Sequence, residues 1–165
     1  MNSSRVNPLR IDCVVVKKAK GVFIRKNIAA IFKEVNLLEY KSPGCNVSVA
    51  GFYKVYAYAC LYSNINKTPM KSITISFVAS RFPKKLFRHL KNDRGYKVEK
   101  TAPGIYTITG DILPIQVIDS RRLPPDENLW LESLRKRLSP LEVLKLSEAA
   151  EKSKTRALSR YSCLQ

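Results

Sequence analysis

The chain is short of histidine, of acidic residues and of long apolar runs, and each shortage removes a class of function. Histidine occurs once in 165 residues, at His89. Zinc sites built from paired Cys and His are therefore not expected. A nucleophile–histidine–acid site would rest on His89 alone, in the basic run 84–91, which reads as exposed helix face. The four cysteines, Cys13, Cys45, Cys60 and Cys163, show no CxxC spacing, and two lie inside apolar segments. They read as reduced thiols of a cytoplasmic protein with no disulfide framework. No segment approaches the ~18 consecutive apolar residues of a membrane span. The start, Met1 to Arg10, has no apolar stretch of the kind a secretory signal carries. With six glycines there is no Gly-rich phosphate loop or dinucleotide fingerprint.

Acidic residues number 13 against 30 Lys and Arg, a net charge of +17. Residues 1–123 hold 22 basic and 7 acidic residues, an excess of 15, and 124–165 hold 8 and 6. The basic character thus belongs to the body of the chain and not to a cationic tail. Such a charge favours an anionic partner, nucleic acid or an acidic membrane surface. The bland alternative is a solvated, highly soluble surface. A membrane surface fits less well, because the basic residues are dispersed and not lined along one amphipathic helix.

Hydrophobic periodicity orders the rest. Residues 9–17 predict a strand and 17–21 a basic turn, with 22–24 extending or pairing with that strand. Ile28, Ile31, Phe32 and Val35 recur at helical spacing and predict a short helix over 25–34. A strand over 36–41 follows, then a loop over 42–49 in which Ser48 is a plausible helix cap. Phe52, Val55, Tyr56, Ala59 and Tyr62 predict a helix over 51–62. Ile73, Ile75, Phe77 and Ala79 alternate, predicting a strand over 72–80. Strand, helix and strand together predict a right-handed βαβ crossover with parallel strands. Pro83 opens a basic helix through Leu90. Residues 96–99 and 104–109 read as strands joined by Ala102-Pro103-Gly104, and 113–119 as a further strand. Arg121-Arg122-Leu123-Pro124-Pro125 punctuates the body. Residues 127–138 read as an amphipathic helix with Trp130, Leu131, Leu134 and Leu138 for burial. Ser139-Pro140-Leu141-Glu142 is a capping box that starts another. The division expected is a core over 1–123, C-terminal helices over 124–150 that pack on or extend it, and a frayed or disordered basic tail over 151–165.

The pattern with chemical content is an acid followed 27 residues later by an acid-x-lysine triplet. Asp12 heads the apolar run 13–16. Glu39-Tyr40-Lys41 closes the apolar run 35–38, and Ser42-Pro43-Gly44 ends it. In a strand Glu39 and Lys41 point the same way and Tyr40 the other way. A carboxylate and an ammonium at the end of an apolar strand are costly to desolvate without partners. Were the Asp12 strand beside the Glu39 strand, two carboxylates and one amine would converge, which is a way to hold a hard divalent cation and position a water for attack on phosphate. The alternative is a structural ion pair, Glu39 with Lys41 or Asp12 with a neighbouring basic residue.

This arrangement resembles the PD-(D/E)XK nuclease superfamily and, more narrowly, an uncharacterised bacterial family within it. The resemblance spans roughly 8–138 and is carried by Leu9-Arg10-Ile11-Asp12, the run from Val35 to Pro43, and the run from Phe52 to Ala59. It implies an α/β fold, a restriction-endonuclease-like mixed β-sheet flanked by helices, with a helical C-terminal extension. It implies Asp12, Glu39 and Lys41 as catalytic residues, with Asp12 and Glu39 binding Mg²⁺ or Mn²⁺. Lys54 and Tyr58, four apart on one helix face, stand where RecB-like members carry Gln-x-x-x-Tyr, with Lys in place of Gln. They would support the site, or they are a snorkelling lysine and a packed aromatic. Lys17, Lys18 and Lys20 after the first strand, and Arg81, Lys84, Lys85, Arg88 and Lys91 after the parallel strand, would contact nucleic-acid phosphates, DNA ahead of RNA. Members usually open with a helix that often adds an acid. Here eleven residues precede Asp12 and none is acidic, so the chain reads as shortened at its start. A homodimer, the C-terminal helices or a partner would then cover the sheet. Three readings stay open: a metal-dependent nuclease, an inactive nuclease-fold protein that binds nucleic acid, and a basic protein-interaction module.

Overall fold

The computed structural model describes residues 13–19, 21, 24, 26–42 and 44–124. The readings placed on Asp12, Lys20, Val22, Phe23, the C-terminal helices and the tail lie outside the described residues. The chain divides into two units, Met1–Leu123 and Pro124–Gln165, and every described strand and helix belongs to the first.

The described elements are strand β1 Cys13–Lys17, a 3-10 turn Asn27–Ala29, β2 Val35–Tyr40, helix α1 Val49–Asn66, a second 3-10 turn Met70–Ser72, β3 Ile73–Ala79, α2 Lys84–Asn92, β4 Lys97–Ala102, β5 Ile105–Thr109 and β6 Ile115–Asp119. They form an α/β structure around one six-stranded mixed sheet in the order β1-β2-β3-β6-β5-β4. The centre, β2, β3 and β6, is parallel, while β1, β5 and β4 pair antiparallel at the flanks. Among the described residues no helix is long and apolar enough to cross a membrane.

The β2–α1–β3 crossover forms as expected, with parallel strands. Ser48 caps α1, its hydroxyl accepting the Gly51 N–H at 3.0 Å. Lys67, in the left-handed region, ends the helix, later than the 51–62 expected from periodicity. Phe52, Val55 and Ala59 face the sheet, and the Phe52 ring lies 5.7 Å from that of Phe77. That face of the sheet is apolar: Val35 and Leu37 on β2, Ile73, Ile75 and Phe77 on β3, and Ile115 and Val117 on β6, all buried. Burial of each large apolar side chain contributes about 1.5–3 kcal/mol.

The opposite face is buried yet polar. Thr74 donates its hydroxyl to Asn36 Oδ1 at 2.6 Å, and Gln116 Nε2 donates to Ser76 Oγ at 2.9 Å and to the Ile28 carbonyl at 2.6 Å. Asn36, Thr74 and Ser76 are thereby paired across neighbouring strands, while the buried Gln116 Oε1 has no hydrogen-bond partner.

The helix expected over 25–34 is a correction: only the turn Asn27–Ala29 is helical among the described residues there. Asn36 explains it. Its side chain accepts the Lys33 N–H at 2.9 Å and donates to the Lys33 carbonyl at 2.9 Å. The backbone groups a helix would use are taken by a local side chain, and Gln116 takes the carbonyl of Ile28. The first strand of the hairpin runs over Lys97–Ala102, not 96–99, and the last strand begins at Ile115, not 113.

Candidate active site and nucleic-acid interface

Register places the triplet. Glu39, Phe77 and Val117 share one row across the three parallel strands, and Ala79 and Asp119 share a later one. The Lys41 N–H donates to the Val78 carbonyl at 2.8 Å, which carries Lys41 into the row of Ala79 and Asp119. Glu39 and Lys41 thus lie on the α1 side of the sheet, at the carboxyl ends of the parallel strands, where open α/β sheets bind ligands. Glu39 is buried at 4% exposure. Lys41 Nζ donates to Glu39 Oε1 at 2.5 Å, so the ion pair weighed as the alternative reading is formed. Glu39 Oε2, also buried, has no hydrogen-bond partner. An orphaned carboxylate oxygen is costly, and it is the kind of atom a hard cation takes as a ligand. Asp12, the second carboxylate of the expected site, is outside the described residues; its neighbour Cys13 pairs with Glu39 across β1 and β2. Among the described residues no group of three His, Cys, Asp or Glu side chains is placed to hold a metal ion.

The first turn of α1 lies close by. A Cβ built on Gly51 would come within 4.0 Å of Lys41 Nζ, and that first turn has no acidic residue. A helix N-terminus and an ammonium both carry positive potential, which suits an anion such as phosphate.

Cys13 reports on this environment. Burial pushes its thiol up to about 11, and the negative Glu39 adds to the effect, while the Leu38 backbone hydrogen bond opposes it. At pH 8 Cys13 is therefore a thiol and not the reactive thiolate. In site-resolved alkylation at pH 8 it is expected to react more slowly than Cys45 and Cys60, both exposed, and to gain rate in Glu39→Gln. Equal rates at all three would contradict the burial of Cys13, and an unchanged Cys13 rate in Glu39→Gln would contradict its proximity to Glu39.

The other expected site residues divide. Lys54 and Tyr58 are both half-buried on α1, and the Tyr58 ring packs edge-on against Tyr62 at 6.4 Å. Arg81, Lys84, Lys85, Arg88 and Lys91 are exposed, and Arg81, Lys84 and Lys85 lie at the same sheet end as Lys41. Lys17 and Lys18 do not join them. Because β1 is antiparallel to β2, Lys17 is opposite Val35 and Cys13 opposite Glu39. Four residues at ~3.4 Å each put the lysine row about 14 Å from the Glu39 row. Lys18 Nζ donates to the Phe32 carbonyl at 3.2 Å, and both lysines line a shallow cavity of about 320 Å³ with Glu34, Tyr62 and Asn66. The single phosphate track expected from sequence is thus split between two ends of the sheet.

His89 is not the free surface residue its basic neighbours suggested. Its Nε2 is hydrogen-bonded to the Tyr53 hydroxyl at 2.8 Å and its Nδ1 lies 2.5 Å from Asp93 Oδ2. Nearby, sequence reasoning missed a polar cluster under α1. Asp111 accepts from the Tyr56 hydroxyl at 3.0 and 3.2 Å, from the Leu113 N–H at 2.9 Å, from Arg94 Nη2 at 3.3 Å and from the Tyr96 hydroxyl. The Arg94 guanidinium lies over the rings of Tyr96, Tyr56 and Tyr53 at 4.9, 5.6 and 5.8 Å. Unlike Glu39, Asp111 has its acceptor capacity filled, so the cluster ties α1 to the β5–β6 loop and leaves no oxygen for a ligand.

Burial pushes the Asp111 carboxyl up, but the Leu113 N–H, the two tyrosines and Arg94 outweigh it and hold it below the ordinary carboxylate value. Its stabilisation is therefore present above ~pH 4, the unfolded value, and is lost as pH falls through the lower native one. Asp111→Asn is expected to cost about 1.5–3 kcal/mol at pH 7, the worth of a hydrogen bond to a charged group. Melting curves of variant and wild type should converge as the pH is lowered below ~4. A pH-independent gap between them would contradict this assignment.

No family model, no curated protein and no solved structure matches the chain.

Proposed function

We propose that the chain is a metal-dependent nuclease that hydrolyses phosphodiester bonds at the carboxyl ends of β2, β3 and β6. The observation that carries this is the buried Glu39 with one oxygen held by Lys41 and the other open. The finer reading of the fold as restriction-endonuclease-like, within the PD-(D/E)XK superfamily, rests on the same elements: the triplet ending β2, the crossover through α1, and parallel β3.

Glu39, with Asp12, would hold Mg²⁺ or Mn²⁺ through carboxylate oxygen. When bound, the ion supplies an acidified water and charge neutralisation at phosphate. Lys41 orients the attacking water and steadies charge developing on the phosphoryl oxygens. The first turn of α1 attracts the phosphate through its backbone N–H groups. Arg81, Lys84, Lys85 and Arg88 give sequence-independent affinity for the backbone.

A second reading, a nucleic-acid-binding protein without turnover, draws on the close Glu39–Lys41 pair, in which each charge already neutralises the other. Closed circular DNA incubated with Mg²⁺, with Mn²⁺ and with EDTA separates the two. Nicking or linearisation that needs the ion and is absent from Lys41→Ala supports the nuclease. Salt-sensitive binding without cleavage supports the second reading, and no affinity at low salt removes both in favour of a basic protein-interaction module.

A further inference from the structure

The turn after β6 carries two arginines that the site above does not use. Asp119 ends β6 with its carboxylate fully buried. Its Oδ1 accepts the Arg121 N–H at 3.2 Å. Arg121 Nε lies 3.7 Å from Oδ1 and Arg122 Nε 3.4 Å from Oδ2, and Oδ2 has no hydrogen-bond partner. Arg122 is held further by Nη1 donating to the Tyr106 hydroxyl at 3.3 Å and by the Phe82 ring, 5.9 Å from its guanidinium carbon. The backbone is fixed on both sides: Asp119 N–H donates to Gly104 O at 2.7 Å, Ser120 N–H to Ala79 O at 2.9 Å and Arg122 N–H to Asp119 O at 3.0 Å. Despite this anchoring the two arginine side chains are 52% and 58% exposed.

A buried acid gripping two half-exposed guanidiniums leaves one positive charge in excess and several N–H donors facing water. Such a pair is pre-aimed and loses little side-chain freedom on meeting an oxyanion. Asp119 stands in the row of Ala79 and Lys41, so two strand spacings of ~4.8 Å, about 10 Å, separate β6 from β2. That exceeds the ~3.4 Å axial rise per nucleotide of a duplex strand, so the two positions would meet different phosphates of one backbone.

We propose that Arg121 and Arg122 clamp the backbone of a polynucleotide at a phosphate other than the one held at Glu39 and Lys41. The clamp rests on the nucleic-acid reading of that site and adds its substrate class: a strand with more than one phosphodiester, not a mononucleotide or a dinucleotide with a single one.

The test is fluorescence anisotropy of the full chain with a labelled twelve-nucleotide single strand and a labelled dinucleotide, in EDTA, over a salt series. Asp119→Asn combined with Arg121→Ala and Arg122→Ala removes the clamp without leaving a buried unpaired acid, and Arg121→Ala with Arg122→Ala is the simpler companion. Lys97→Ala with Lys100→Ala removes the same charge from exposed positions on β4. Loss of two phosphate contacts is expected to weaken twelve-mer binding about tenfold and to reduce the log–log salt slope by about 1.4. Dinucleotide affinity should stay as in wild type, and the β4 variant should keep the wild-type slope. Equal losses in clamp and β4 variants would overturn the clamp. Absence of twelve-mer binding by wild type at low salt would overturn the clamp and the nucleic-acid reading together. Clamp-dependent binding with no cleavage under any metal would leave the clamp standing and remove only the hydrolase.

Discussion

Glu39→Gln is expected to lower metal-dependent cleavage by about 10²–10³-fold or more, the usual loss when a group stabilising transition-state charge is removed. Gln keeps the shape and one acceptor but removes the charge that balances Lys41. Lys41 is 26% exposed at its side chain, so water solvates the unpaired ammonium in the variant and the cost to folding is moderate. Binding to an oligonucleotide in EDTA should persist, because phosphate affinity comes from basic side chains that the substitution leaves in place. Lys41→Ala should lose cleavage by a similar factor. The distinguishing readout is the split between the two assays. A purely structural pair would lower the melting temperature in either variant and leave any cleavage per folded molecule unchanged.

Gly104→Ala is expected to be the most damaging small substitution in the described core. Gly104 forms the β4–β5 turn with φ of +74°, and a Cβ there would fall 2.7 Å from the Asp119 carbonyl oxygen and 2.9 Å from the Arg122 carbonyl carbon. Left-handed backbone costs a residue with a side chain about 1–2 kcal/mol, and overpacking adds about 1–3 kcal/mol. The atoms struck are backbone and belong to the turn that carries Arg121 and Arg122, so they cannot rotate away. Thermal or urea unfolding should show a loss of about 2–5 kcal/mol. The surviving folded fraction should bind the twelve-mer more weakly, since the clamp turn must shift. Gly95→Ala is the comparison. It also has positive φ, but a Cβ there meets nothing within 4 Å, so it should cost only the backbone share.

The elements that sequence patterning located are those in which one side-chain period dominates. Residues 73–77 alternate apolar and polar, and α1 repeats Phe52, Val55 and Ala59 at three- and four-residue steps; both elements form, with Ser48 as cap, though α1 runs over Val49–Asn66 and not 51–62. What patterning could not show is where the polar half of each strand goes. Thr74, Ser76, Asn36 and Gln116 have the look of a solvent face, yet all four are fully buried and bonded across strands. The false helix over 25–34 has the same origin, since Asn36 and Gln116 reach back to capture its backbone groups. At the site, the spacing of Glu39 and Lys41 was legible because strand alternation fixes it. The separation of Lys17 and Lys18 from that site was not legible, because it follows from β1 running antiparallel to β2. Asp119 and its arginines were missed because a buried acid after an apolar strand, followed by Arg-Arg-Leu-Pro-Pro, reads as punctuation. Asp111 and Arg94 were missed because their partners Tyr56 and Tyr96 are distant in sequence.

The most direct test of the metal-binding role of Glu39 is a Mn²⁺ titration followed by electron paramagnetic resonance, which reports the ion itself and not the reaction. Wild type is expected to remove free-ion signal at one site. Glu39→Gln should abolish that site, and Lys41→Met should keep or strengthen it, because the ammonium no longer competes for Oε1. Equal Mn²⁺ uptake by wild type and Glu39→Gln would contradict the assignment of Glu39 as the metal-binding acid.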